Sequence, residues 1–354
     1  MALPISKKFT LLFAVVVGMG NVQAETPGQR PIPVKVVVVT MFEIGADAGD
    51  RAAEFQLWKE REKLNQKFAF PQGYHDLYMN DQGVLGIVTG MGIANAAASI
   101  MALGLDPRFD LTEAYWLVAG IAGIDPADGS IGSAAWAGYL VDGDLAHEID
   151  AREIPADWPN GYFARGTSRP GIKPEKPDDT SSYTLNLKLQ DWAYRLTKDI
   201  VLPDSEGLKR SRERYTETPE ARRPPFVLKG DHLAASTFWH GKLLNAWANQ
   251  WVKLWTDNQA NYVTTAMEDT ATLQSLTYLQ RAGKVDLNRV MVLRTASNFD
   301  SPPPGITAAE NMAAEGDHQY SGFAESIEAA HLVGSKVVHE IVKNWSKYEN
   351  EIPH

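Results

Sequence analysis

The stretch Val88–Ser99, "VTGMGIANAAAS", decides how this chain is read. Val88 and Thr89 close a short β-branched run. Gly90 and Gly92 follow, and then Asn95 within a series of alanines. Glycines at that spacing let the backbone turn sharply and come close to another group. A dinucleotide loop has Gly-x-Gly-x-x-Gly and an acid at the end of the next strand. Here the third position is Asn95, and Asp110 precedes the next strand, so that reading is set aside. What remains is a strand, a side-chain-poor corner and a helix. Backbone N–H groups at such a helix start suit an oxygen-rich ligand.

The same alternation runs outward from this unit. Upstream, "VKVVVVT" (Val34–Thr40) has no polar alternation and reads as a central strand covered on both faces. "GVLGIVTG" leads into the corner itself, and "NAAASIMALGL" continues from it as a helix with Gly104 as its stop. "EAYWLVAG", "SAAWAGYLVDG", "RPPFVLKGD" and "RVMVLRTAS" read as further strands. "DTATLQSLTYLQRAG" reads as a helix closed by Gly283, and the run from Phe323 to Trp345 as a long closing helix. Strands alternating with helices predict an α/β domain with a mostly parallel, mixed central sheet flanked by helices. Residues 25–354 form one domain in this reading. The Pro- and charge-rich segment from about Asp150 to Pro225 is an insertion carrying one amphipathic helix and an extended, partly mobile loop.

Composition narrows the function classes. Residues 1–24 combine Lys7 and Lys8, the apolar run "FTLLFAVVVGMG" and the small-residue site "VQA", the pattern of a secretory leader cleaved after Ala24. A periplasmic or secreted location follows as an expectation. Without the two leader lysines the chain has 32 basic and 44 acidic residues, a net charge of −12. An acidic chain without a basic stripe is a poor binder of nucleic acid or anionic membranes. There is no cysteine, so thiolate chemistry and disulfides are out of reach. After the leader, no run reaches the roughly 20 apolar residues of a membrane span. His232 and His240 are read as a satisfied surface pair, and no metal site is expected.

Four corners follow strand ends, where open α/β sheets hold their ligands. They are "VVVVTMFEIGAD" with Glu43, the opening stretch, "VAGIAGIDP" (Val118–Pro126), and the pair "TTAMEDTA" and "RTASNFD". Taken together with "KGDHLAASTF" (Lys229–Phe238), their order resembles the nucleoside phosphorylase and nucleosidase superfamily. Over the whole mature chain the sequence is similar to the purine nucleoside permease family. The motifs that carry this are "MFE", "GMGIANAA", "AGIAG", "KGDHLAASTF", "AMEDTA" and "LRTASN".

The resemblance implies a nucleoside phosphorylase-like fold and a purine nucleoside ligand, with Gly92, Asn95, Gly120 and Gly123 at the ribose- or phosphate-facing corners. Glu268 would accept bonds from the ribose hydroxyls and Met267 would pack beneath the sugar. Phe238 or Trp239 would stack on the purine. Asn298 would hydrogen-bond it, with Asp300 as the fallback acid. Glu43 would activate water. The third corner has Ile121 and Ala122 where the phosphorylases of the superfamily have a serine, and Arg51 comes several residues late for a phosphate loop. Hydrolysis is therefore favoured over phosphorolysis. No cofactor is expected, with inorganic phosphate the alternative co-substrate. The alternative function is a nucleoside-binding component of uptake without turnover. The superfamily's trimers and hexamers imply a homo-oligomer.

Overall fold

A computed structural model describes residues 30–315 and 321–354. The expected leader and its cleavage site lie outside the described residues.

Seven strands frame the site: β1 (Val36–Thr40), β2 (Val84–Val88), β3 (Tyr115–Ile124), β4 (Tyr139–Asp142), β5 (Asp231–Ala234), β6 (Tyr262–Ala266) and β7 (Val290–Phe299). They belong to one large mixed sheet in the order β4-β5-β6-β3-β1-β2. β1 runs parallel to both β2 and β3, β4 to β5, and β5 to β6, while β6 meets the end of β3 antiparallel. β7 lies parallel to β3 along nearly its whole length. The expected α/β architecture is present.

The four valines of β1 explain why its sequence shows no alternation. Val37 and Val39 face a core shared with Ile100, Leu103, Leu276 and Leu279. Val36 and Val38 face a second core built on Trp58, Val333, Val337 and Ile341. Successive side chains point to opposite faces, and helices cover both. Helices Ile93–Gly104 and Asp269–Arg281 cover the first, and the closing helix Phe323–Lys343 covers the second. Burying such side chains contributes on the order of 25 cal/mol per Å² of apolar area.

Two runs read as single strands are each broken. "SAAWAGYLVDG" divides into Ala134–Trp136, which pairs with β7, and β4, which pairs with β5. The backbone N–H groups of Gly138 and Tyr139 turn instead to Asp231 Oδ1. "RPPFVLKGD" likewise divides at Gly230, where an added Cβ would overlap the Val263 side chain. The segment from Asp150 to Pro225 carries two helices, Leu187–Thr197 and Glu206–Glu213, where the sequence suggested one. It also adds the edge strand Ser182–Thr184 to β4. Among the described residues no helix is long and apolar enough to cross a membrane.

Candidate active site

The ends of β1, β3, β6 and β7 surround a cavity of about 100 Å³. Its apolar wall is Met41, Phe42, Met91, Ile121, Phe238 and Met267, and its polar wall includes Glu54, Glu268, Arg294, Ser297 and Asn298. Ser297 and Asn298 are neighbours in sequence, yet both face the cavity. The register of β7 against β3 shifts between Ala296 and Asn298, a bulge that re-aims the side chains there.

Arg294 organises the polar wall. It is 1% exposed and sits midway along β7, every residue of which is buried. A buried guanidinium is tolerated only when its donors are taken. Nε and Nη2 donate to the Asp269 carboxylate, Nη2 also to Glu268 Oε2 at 3.1 Å, and Nη1 to the Ile121 carbonyl at 3.0 Å. Burial disfavours its charge, but Asp269 and Glu268 outweigh this and raise its pKa.

Glu54 stands on the other side. It is 5% exposed. Its Oε2 accepts the Met41 N–H at 2.8 Å and its Oε1 the Ile121 N–H at 2.7 Å. Burial pushes its carboxyl up to about 8, with Glu268 adding to the shift and Arg294 and the two N–H groups opposing it. Burial also raises Glu268, against Arg294 and the Gly92 N–H.

Of the residues expected at the site, Gly123, Phe238, Met267, Glu268 and Asn298 line the cavity. Asn298 Oδ1 accepts the Ser297 hydroxyl at 2.9 Å and Nδ2 donates to the Phe299 carbonyl at 3.0 Å. One amide N–H of Asn298 is left over.

The others are elsewhere. Glu43 does not line the cavity. Its carboxylate accepts four backbone N–H groups, from Ile44, Ala53, Phe55 and Gln56, at 2.6–2.9 Å. Those bonds brace the loop that carries Glu54. Gly92 and Asn95 also differ from expectation. Gly92, at φ 87°, gives its N–H to Glu268 Oε1 at 3.0 Å, and the next N–H, of Ile93, goes to Ser236 Oγ. The corner therefore holds a protein carboxylate, and Asn95 closes it by donating to the Met91 carbonyl. Gly120 lies behind the wall, where an added Cβ would overlap Met41 Cε and come within 2.6 Å of Glu54 Oε1. Trp239 borders a smaller compartment behind Asn298 and Phe238. It packs on Trp247 and Tyr262. Asp300 is buried outside the cavity, accepts from Tyr262 Oη and Asn245 Nδ2, and is raised well above the carboxylate range by burial and by Asp125. His232 and His240 are buried, not a surface pair.

Glu54 and Arg294 were not singled out in the sequence. Arg294 had a signal: an arginine within "RVMVLRTAS" must find carboxylates, and "MEDTA" offers two. Glu54 had none, because it lies in an irregular loop without period.

The profile of the purine nucleoside permease family matches residues 33–353. A purine nucleoside permease of Candida albicans is 34% identical over 339 residues, covering 93% of this chain and 81% of that protein. A probable purine nucleoside permease of Schizosaccharomyces pombe is 33% identical, covering 92% and 94%. In fold the chain is similar to a solved Helicobacter pylori nucleosidase variant with 5′-methylthioadenosine in its active site. The TM-score is 0.50 at 13% identity, over 86% of this chain and 99% of that one. A putative 5′-methylthioadenosine/S-adenosylhomocysteine nucleosidase of Francisella philomiragia also gives 0.50 at 13% identity, over 86% and 98%.

Proposed function

This chain belongs to the purine nucleoside permease family, and from that premise and its cavity we propose that it binds a purine nucleoside and cleaves the N-glycosidic bond with water. The observation that carries this reading is the pairing of two buried carboxyls, Glu54 and Glu268, across Arg294 in an apolar cavity. Glycosidic cleavage passes through a cationic, oxocarbenium-like sugar, and carboxylates in a water-poor site stabilise it strongly.

In this reading Glu268 accepts the ribose 2′- and 3′-hydroxyls, and Met267 and Met41 pack against the sugar. Glu54 takes the proton of a water whose oxygen bonds to C1′. The C1′–N9 electron pair leaves with the purine, which gains a proton from solvent. The remaining Asn298 N–H stabilises charge building on the departing base, and Phe238 stacks on it. A carboxyl whose pKa lies near 8 is suited to exchanging a proton near neutrality.

Water is favoured over phosphate as nucleophile because Arg294 is the one cation among the described lining residues, and four of its five N–H donors are occupied. The backbone N–H groups of Gly92 and Ile93 in the glycine corner are occupied too. A phosphate dianion would meet two carboxyls. The second reading, nucleoside binding in uptake without turnover, is favoured by the names of the relatives. Export after cleavage at Ala24 and self-association belong to the same proposal.

Incubation with inosine, guanosine or adenosine, with and without phosphate, tests it. Free base in both conditions supports hydrolysis. Free base only with phosphate means phosphorolysis. Nucleoside that is bound but unchanged means uptake without turnover.

A further inference from the structure

Behind the cavity wall lies a second charged layer that the chemistry above does not use. Asp269, fully buried, binds two nitrogens of Arg294. His232, on β5 and also fully buried, places Nε2 at 3.0 Å from Asp269 Oδ2 and Nδ1 at 2.9 Å from Thr264 Oγ1. Neither Asp269 nor His232 lines the cavity. Burying a carboxylate costs desolvation energy that an apolar residue of similar volume would not incur. Packing alone therefore gives no reason for these side chains.

We propose that Asp269 and His232 are positioning residues for the cleavage, aiming Arg294 at the two cavity carboxyls and offsetting its charge so that the guanidinium does not hold Glu54 permanently ionised. This rests on Glu54 acting as the base. The groups facing Glu54 are Arg294 from β7, Glu268 from the β6 exit, and the N–H groups of Met41 and Ile121. Those facing Asp269 are Arg294, His232 from β5 and the adjacent Glu268. Burial works against ionisation of Asp269, but Arg294 and His232 outweigh it and hold it below the usual carboxylate range. Its negative charge is therefore a fixed partner for Arg294. Without that charge, the field of Arg294 falls on Glu54 and Glu268 alone, and a nearby opposite charge favours the ionised carboxylate.

The test is the pH dependence of kcat/KM for inosine cleavage by the full chain and its Asp269→Asn variant. A base works only when ionised, so the acid limb should move to lower pH, by about one unit or more. A folded Asp269→Asn protein with an unmoved limb overturns the proposal. If that variant does not fold, His232→Gln carries the test, because it keeps the Asp269–Arg294 pair and removes only the ring that fixes it. There kcat should fall about tenfold with KM within about twofold, the mark of lost orientation. An unchanged kcat overturns the proposal. Glu54→Gln separates the two levels. If Glu54→Gln still turns over, the assignment of the base fails and this proposal falls with it. If it is inactive while the Asp269→Asn limb stays in place, only the positioning role falls. A wild type without turnover removes both.

Discussion

Glu54 Oε1 accepts the backbone N–H of Ile121 at 2.7 Å, tying the irregular segment after β1 to the middle of β3. The other oxygen binds the Met41 N–H at the end of β1. A side chain from a loop is thereby held between two adjacent parallel strands, and its position is as fixed as theirs.

Glu54→Gln should keep the fold and remove the base. Turnover should fall by roughly 10²–10⁴-fold, with nucleoside affinity altered only a few-fold. In the wild type kcat/KM should rise with pH toward about 8, the raised value of Glu54, and fall below it as the carboxyl takes up its proton. Steady-state kinetics across pH measure both. A Glu54→Gln protein with wild-type turnover would return the assignment to binding alone.

Glu268→Gln should weaken nucleoside binding. Each charge-assisted bond to a ribose hydroxyl contributes about 1.5–3 kcal/mol, and the bond from Arg294 weakens as well. Calorimetry with ribonucleosides and their 2′,3′-dideoxy analogues reads this directly. Equal affinity of the wild type for both sets would count against Glu268 as the ribose ligand.

Glu43→Gln should act on stability. Each oxygen of Glu43 accepts two N–H groups, and the amide nitrogen of glutamine would face two donors with another donor. A loss of about 2–3 kcal/mol is expected in urea unfolding, from charge-assisted bonds of about 1.5–3 kcal/mol each with partial relaxation. Turnover per folded molecule should stay within a few-fold. A full-stability variant that has lost turnover would restore Glu43 as the base.

Gly120→Ala should damage the site without touching ligand. The methyl would overlap Met41 Cε and press on Glu54 Oε1 and Arg294 Nη1, 2.6 and 2.7 Å away. Overpacking of this kind costs about 1–3 kcal/mol. The measurement is Tm together with kcat, and both should fall. Unchanged kcat would show that Glu54 has more freedom than its two backbone bonds suggest.

Much of this molecule was legible in its sequence, for reasons that lie in periodicity and local chemistry. Four valines in a row can be satisfied only in a strand covered on both faces, and β1 is one. Apolar spacing specified the closing helix, and the wording of the strand exits placed Glu268, Met267, Phe238, Asn298 and Gly123 around one cavity. The breaks at Gly138 and Gly230 were hidden, because their cause is a partner distant in sequence, Asp231 for one and Val263 for the other.

What only the tertiary structure decided is which acid near β1 faces the cavity. Glu43 and Glu54 lie eleven residues apart in a loop with no regular period, and nothing local distinguishes them. The loop folds back so that the N–H groups of residues 44, 53, 55 and 56 converge on Glu43, while Glu54 points between β1 and β3. The glycine corner Val88–Ser99 shows the same division. Its sequence determined the turn and the helix start, since only such residues allow a φ of 87° at Gly92 without strain. Long-range packing determined what the freed N–H would bind, because it brings Glu268 from 176 residues away to within 3.0 Å.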